Sequence, residues 1–426
     1  MGQYKMITSN NLLCPLAPIE QRLSDCLSLW LETKDNYFSP NSFRLSLNNC
    51  IQTMRNVTFV LQKTKPQFDN FEGWYGRWRE KMGRDNVMTW LISARNVIVK
   101  EGDLSTSSKL RISIVETWFA PPYIEIDVPP FTKTGDFIKF LAKNNPNNVD
   151  LKVGLLQAER RWIDEQLKEC ELLEALSHVF VVLSDLLLDA HENLHYRENL
   201  LKCPWYTHQN PYKSQYVDCM KAQEWDRTIW LDLNTSQILR PAVSPVRRID
   251  DEEVKRHYPD LQQHTGQRKK PKDLKEEADI LFEQAKTILI TDGFHVPIAM
   301  VGYPNGHRDL VALQMLDRTE KHLAIRGLAA DIERTGATSM VFIGEAWVSS
   351  IEDYRLTPVG VESPTLREAL LLIAANAAGE TYNRKVFFVK DKNGKISLGK
   401  EFSVSHGEIN ILRPVREVWN KRHVTD

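Results

Sequence analysis

The sequence predicts a multidomain protein of the α plus α+β class: an N-terminal helical bundle carrying a small β-hairpin, and a C-terminal antiparallel sheet with packed helices. Three observations support this. Apolar residues recur at helical spacing through the first hundred positions. Two Asn-Gly pairs sit between apolar runs in the last third, the strongest short-range hairpin signal. A polar, charged, proline-containing stretch at 241–277 separates the two patterns. At 426 residues the chain is long enough for two or three cores. The expected organisation is a helical bundle with a hairpin appendage at 1–150, long helices with an irregular wrap at 151–240, a linker at 241–277 and an α+β domain at 278–426.

In chain order, Ile19, Leu23, Cys26, Leu27 and Trp30 make the first helical stripe. Ser39 is an N-cap candidate with Pro40 at the first helical position, followed by Phe43, Leu47, Cys50, Ile51, Met54, Val57 and Leu61 on one face. Asp85 can cap a further helix with the stripe Val87, Leu91, Ala94 and Ile98, which Gly102 ends. LRISIVETW and YIEIDVP alternate like two hairpin strands. From about Leu155 to Leu201 the spacing predicts helix again, one long or two in succession. In the last third the expected order is α-β-β-α-β-β-β with a short final helix, and turns fall at Asn305-Gly306 and Asn393-Gly394.

Composition excludes some classes of function. A net charge of -1 supplies no general attraction for nucleic acid or acidic membranes, so any such contact must be a local patch. No run is long enough to span a bilayer and the N-terminus lacks a secretory pattern. The six cysteines are scattered, which predicts reduced thiols and a cytoplasmic protein. P-loop, nucleophile-elbow and dinucleotide fingerprints are absent, so no nucleotide cofactor is expected. The basic run Arg268 to Lys272 lies among acidic residues and reads as solvated linker.

Two stretches carry possible chemistry. The segments FRLSLNNCIQTMRNVTFVLQK and ARNVIVKEGDL resemble the HEPN superfamily, helical bundles that commonly dimerise and whose active members cut RNA. The family motif is an arginine, a polar residue and then a histidine. Arg95 and Asn96 match it, but Lys100 stands where the histidine belongs. A lysine with its ordinary pKa near 10.4 is a cation at neutral pH, not a base. The resemblance therefore implies a non-catalytic or weakly catalytic RNA- or protein-binding homodimer, in a defence or toxin–antitoxin setting. Arg95 and Lys100 would contact phosphate, with Asn96 and Arg55 orienting them or bridging the bundle. The C-terminal element order looks like roadblock or profilin-type scaffolds.

The second stretch, His191-Glu192-Asn193-Leu194-His195, is a literal H-E-x-x-H. On a helix it puts two imidazoles on one face for zinc and a glutamate beside them to activate water. A zinc-dependent hydrolase using His191, His195 and Glu192 is thus the alternative expectation, with Glu224, His208 or Asp218 as a third ligand. Cys203, His208 and Cys219 could instead join the histidines in a structural site. A third expectation is an interaction scaffold with no active site.

Overall fold

The structure, a computed structural model, describes residues 14–115, 118, 123–144, 155–195, 220, 225–239, 244–245, 271–313, 315, 318–348, 367–405 and 410–425. The chain forms two compact units, Met1–Ile114 with Pro122–Ile238, and Val115–Pro121 with Leu239–Asp426.

The first unit begins with α1 (Ala17–Asp35), α2 (Pro40–Gln62), α3 (Phe71–Gly83) and α4 (Asn86–Lys100). The stripe residues Ile19, Leu23, Cys26, Trp30, Phe43, Leu47, Ile51 and Met54 are buried in one apolar core. Pro40 opens α2, but the Ser39 side chain makes no capping bond. Asp85 does cap α4, accepting from the backbone N–H groups of Val87 and Met88 at 2.9 and 3.0 Å. At the other end of α4, Gly102 has φ of 127° and its N–H reaches the carbonyl of Val97 at 3.0 Å, a conformation that favours glycine.

A five-stranded sheet follows: β1 (Thr106–Val115), β2 (Tyr123–Val128), β3 (Leu155–Asp164), β4 (Thr228–Asp232) and the two-residue β5 (Ile238–Leu239), in the order β2-β1-β3-β4-β5. The β1–β2 hairpin pairs Leu110 with Ile126 as the alternation predicts. It is part of a larger sheet because Leu155–Asp164, expected to be helical, is a strand. LLQAERRWID is rich in good helix formers, but Leu156, Ala158, Arg160, Trp162 and Asp164 alternate onto a buried face. Sheet pairing and burial outweigh the local preference here. The helix α5 (Thr134–Lys143) packs Ile138 onto that sheet. The helix α6 (Leu172–His195) returns to the bundle and buries Val179, Phe180, Leu183, Leu186 and Leu187. Asp189 on α6 accepts hydrogen bonds from the indole N–H groups of Trp74 and Trp78 on α3.

The second unit holds a seven-stranded antiparallel sheet. Its strands are β6 (Ser244–Pro245), β7 (Ile298–Gly302), β8 (Arg308–Ala312), β9 (Ser339–Val348), β10 (Arg367–Asn376), β11 (Thr381–Lys390) and β12 (Ile396–Ser405), in the order β12-β11-β10-β9-β7-β8-β6. Both Asn-Gly pairs lie in hairpin loops, Gly306 at φ 83° between β7 and β8 and Gly394 at φ 80° between β11 and β12. Alternation on β9 divides the packing: Val341 and Ile343 meet α7 (Leu274–Asp292), while Met340 and Phe342 share a core with α8 (Arg318–Thr335) and α9 (Arg413–Thr425). The result is a sheet with helices on both faces.

Candidate functional site

The arginine–asparagine pair lies on α4, where Arg95 Nη1 donates to the neighbouring Asn96 Oδ1 at 3.3 Å and both side chains are half-buried. Arg55, on α2, stacks its guanidinium 4.1 Å from the Phe59 ring centroid and donates to Thr58 Oγ1. Burial first, and the nearby Arg95 cation as a smaller effect, lower its pKa. Arg55 and Arg95 are therefore close enough to influence one another electrostatically. Lys100 is not part of that grouping: it is exposed in the last turn of α4. Five positions on an α-helix turn it by roughly 140° from Arg95.

The H-E-x-x-H stretch is divided by the helix that carries it. His191 is 3 % exposed and faces the bundle interior, whereas Glu192 and Asn193 are exposed. His191 Nε2 lies 2.6 Å from Glu20 Oε1 in the first turn of α1, and its Nδ1 lies 4.0 Å from Cys14 Sγ. Burial opposes a charge on this imidazole, but hydrogen bonds to Cys14 and Glu20 outweigh it and lift the pKa to about 9. The His195 side chain, and the proposed further ligands Cys203, His208, Asp218, Cys219 and Glu224, lie outside the described residues, as do Arg268, Lys269 and Lys270 of the basic run.

A cleft of about 50 Å³ opens between the bundle and the sheet of the first unit. Its floor is Phe43 of α2 stacked on Trp162 of β3, ring centroids 4.8 Å apart and 18° between planes. On one rim Arg44 Nη1 meets both oxygens of Asp103 at 2.7 and 2.8 Å, and Asn48 donates to the same carboxylate at 3.1 Å. On the other, Pro130 and Phe131 come from the turn between β2 and α5, and Phe131 is 74 % exposed. That turn is held from beneath by Arg160, which is fully buried. Its Nη1 donates to the Thr132 carbonyl at 2.7 Å and Thr134 Oγ1 at 3.0 Å; its Nη2 donates to Ser108 Oγ at 2.9 Å and the Pro130 carbonyl at 3.2 Å. The guanidinium also lies 3.9 Å from the Trp162 ring centroid. Burial pulls its pKa down to about 10, so it remains a cation at neutral pH. Phe43, Arg44, Leu47, Asn48, Asp103 and Leu104 fall within the two segments that carry the HEPN resemblance, but no motif joins them to Pro130, Phe131 and Trp162, which complete the cleft.

A second buried network joins Tyr37, Glu171 and Arg227. Tyr37 Oη lies 2.8 Å from Glu171 Oε1 and 2.9 Å from the Arg160 carbonyl. Glu171 Oε2 caps α6, accepting from the Leu173 and Glu174 N–H groups at 2.8 and 3.3 Å. Burial pushes its carboxyl up to about 7, against the pull of Arg227 and Tyr37. Arg227 sits closer to Glu174 than to Glu171, from which it is 3.7 Å away, so burial prevails at Glu171.

In the second unit Arg384 pairs with Asp279, Glu283 and Glu401. Glu345 accepts from the His295 N–H at 2.6 Å, and the exposed His307 pairs with Asp309. None of these joins a nucleophile to a base. Among the described residues no helix is long and apolar enough to cross a membrane.

Comparison with known proteins places the whole chain together. The family model described as bacteriophage lambda protein ea47 matches residues 8–426. Protein ea47 of Escherichia phage lambda is 26% identical over 375 residues, covering 84% of this chain and 86% of that protein. No solved structure matches. The family match corrects the HEPN resemblance, which rested on two short segments, and with it the RNA-binding, defence and toxin–antitoxin roles that followed from it. It likewise displaces the roadblock and profilin comparison, which rested on element order alone. A single model running through both compact units leaves one assignment: the chain belongs to the family of the bacteriophage lambda protein ea47.

Proposed function

We propose that this protein is a non-catalytic protein-binding factor, and that the cleft of the first unit receives an apolar side chain of a partner polypeptide. One observation carries the reading: Phe131 stands 74 % exposed at the mouth of a cleft floored by stacked aromatic rings. A large exposed aromatic beside an apolar slot is the composition of an interface hot spot. The buried Arg160 bonds fix the turn that presents it, which lowers the ordering cost of binding. Asp103, the carboxylate of the rim, is engaged by Arg44 and Asn48.

The protein works in the cytoplasm on this reading. Cys26 and Cys50 are buried free thiols, Cys50 Sγ approaches the Cys26 carbonyl at 3.8 Å, and burial raises the pKa of both. They serve as core residues in a reducing compartment. As the family includes a bacteriophage protein, the partner is a phage or host bacterial polypeptide.

Peptide display against the full chain tests the proposal. Selected peptides should carry an aromatic or large aliphatic anchor and lose at least about tenfold in affinity against Phe131→Ala. Selection of the same peptides, equally tightly, by that variant would refute it.

A further inference from the structure

Cys14, Glu20 and His191 meet within the helical bundle although 177 positions separate the first from the last. Cys14 lies just ahead of α1, Glu20 in its first turn and His191 near the end of α6. They are 7, 4 and 3 % exposed. One ligand-capable atom of each lies within 4.8 Å of the other two. Their buried chain neighbours Leu16, Ile19, Leu187 and Ala190 belong to the same apolar core.

We propose that Cys14, Glu20 and His191 form a binding site for a divalent transition-metal ion of the zinc type. The donor set decides the class of ion. Sulfur, imidazole nitrogen and carboxylate oxygen together suit zinc, which holds them at about 2.3, 2.0 and 2.1 Å, whereas calcium and magnesium take oxygen alone. Ligands of a tetrahedral centre with such bonds stand roughly 3.3 to 3.8 Å apart. One ligand atom from each residue lies within 4.8 Å of the other two, somewhat wider than that spacing. Cys14 and Glu20 now contact opposite imidazole nitrogens, Nδ1 at 4.0 Å and Nε2 at 2.6 Å, so an ion held through one of them requires the other side chain to turn towards it. A thiolate and a carboxylate cancel the two positive charges, leaving no net charge in the apolar core. Three protein ligands leave one coordination position for a water.

The site overlaps the H-E-x-x-H motif only at His191. Glu192 is on the exposed side of the helix and is not a member. The ion would pin the chain ahead of α1 to α6, and a water in its fourth position would lack the Glu192 base that an H-E-x-x-H hydrolase places beside it.

Metal analysis of the purified full chain, stripped by chelator and reloaded with zinc, should return about one equivalent. Cobalt in its place should give a thiolate-to-cobalt charge-transfer absorption. Cys14→Ser and His191→Asn should abolish that absorption and lower zinc at least tenfold, while Glu192→Gln and His195→Ala should keep both. In case those two variants fail to fold, zinc should slow alkylation of Cys14 in the wild-type chain at least tenfold. Less than a tenth of an equivalent of zinc in wild type, alkylation of Cys14 indifferent to zinc, or metal lost on His195→Ala but kept in Cys14→Ser would overturn the assignment.

Discussion

Glu171→Gln separates the cost of burying a carboxylate from every other effect of pH on the first unit. The folded carboxyl titrates at about 7 against 4.5 for an ordinary glutamate, because burial disfavours its charged form. Between those values the folded chain keeps a proton that the unfolded chain has released. Stability is therefore full below pH 4.5 and declines as pH rises to about 7. At about 1.36 kcal/mol per pH unit the loss amounts to roughly 3 kcal/mol. Glutamine reproduces the protonated form: its oxygen can cap α6, and its amide can donate to Tyr37 Oη, which then donates to the Arg160 carbonyl. Urea unfolding of both proteins from pH 4.5 to 8, followed by tryptophan fluorescence, should show the variant gaining on wild type by roughly 3 kcal/mol as pH rises. A difference that stays constant within about 0.5 kcal/mol, or wild type gaining instead, would show that Arg227 holds Glu171 ionised throughout and would refute the reasoning.

Other perturbations have defined outcomes. Asp85→Ala removes two capping bonds and the 2.6 Å contact with His178, and should destabilise the first unit by about 1–2 kcal/mol in thermal melts. Arg160→Met leaves the Pro130 and Thr132 carbonyls without their donor; hydrogen exchange across residues 129–134 should accelerate at least tenfold, and peptide binding at the cleft should weaken. Phe282→Ala empties a fully buried position on α7 beneath Arg384 and should cost about 3–5 kcal/mol, read as earlier loss of protection in β10 and β11 than in α2.

The sequence was legible where a local rule and the tertiary environment agree. The stripes of α1 and α2, the Asp85 cap and both Asn-Gly turns are short-range patterns that packing then reinforces. It was illegible where distant segments decide. Residues 155–164 read as helix because Ala, Glu and Arg favour it, and only pairing with β4 and the bed of acceptors around Arg160 make a strand the better state. The Cys14, Glu20 and His191 cluster could not be read from spacing, since two of its members precede the third by more than 170 positions. Motif reading found His191 but assigned it Glu192 as companion, when the helix turns that residue to solvent. Arg95 and Lys100 fitted a linear pattern that helical geometry splits.

The bonds of Arg160 also bear on how the first unit assembles. One guanidinium on β3 is shared by Ser108 of β1, two carbonyls of the turn after β2 and Thr134 at the start of α5. Any partly formed sheet that lacks one of these segments must either leave the cation in water or bury it short of acceptors. Strands from three parts of the chain thus gain their stabilisation together. The sheet should open and close as one cooperative block, with the rim of the cleft appearing only when the block is complete.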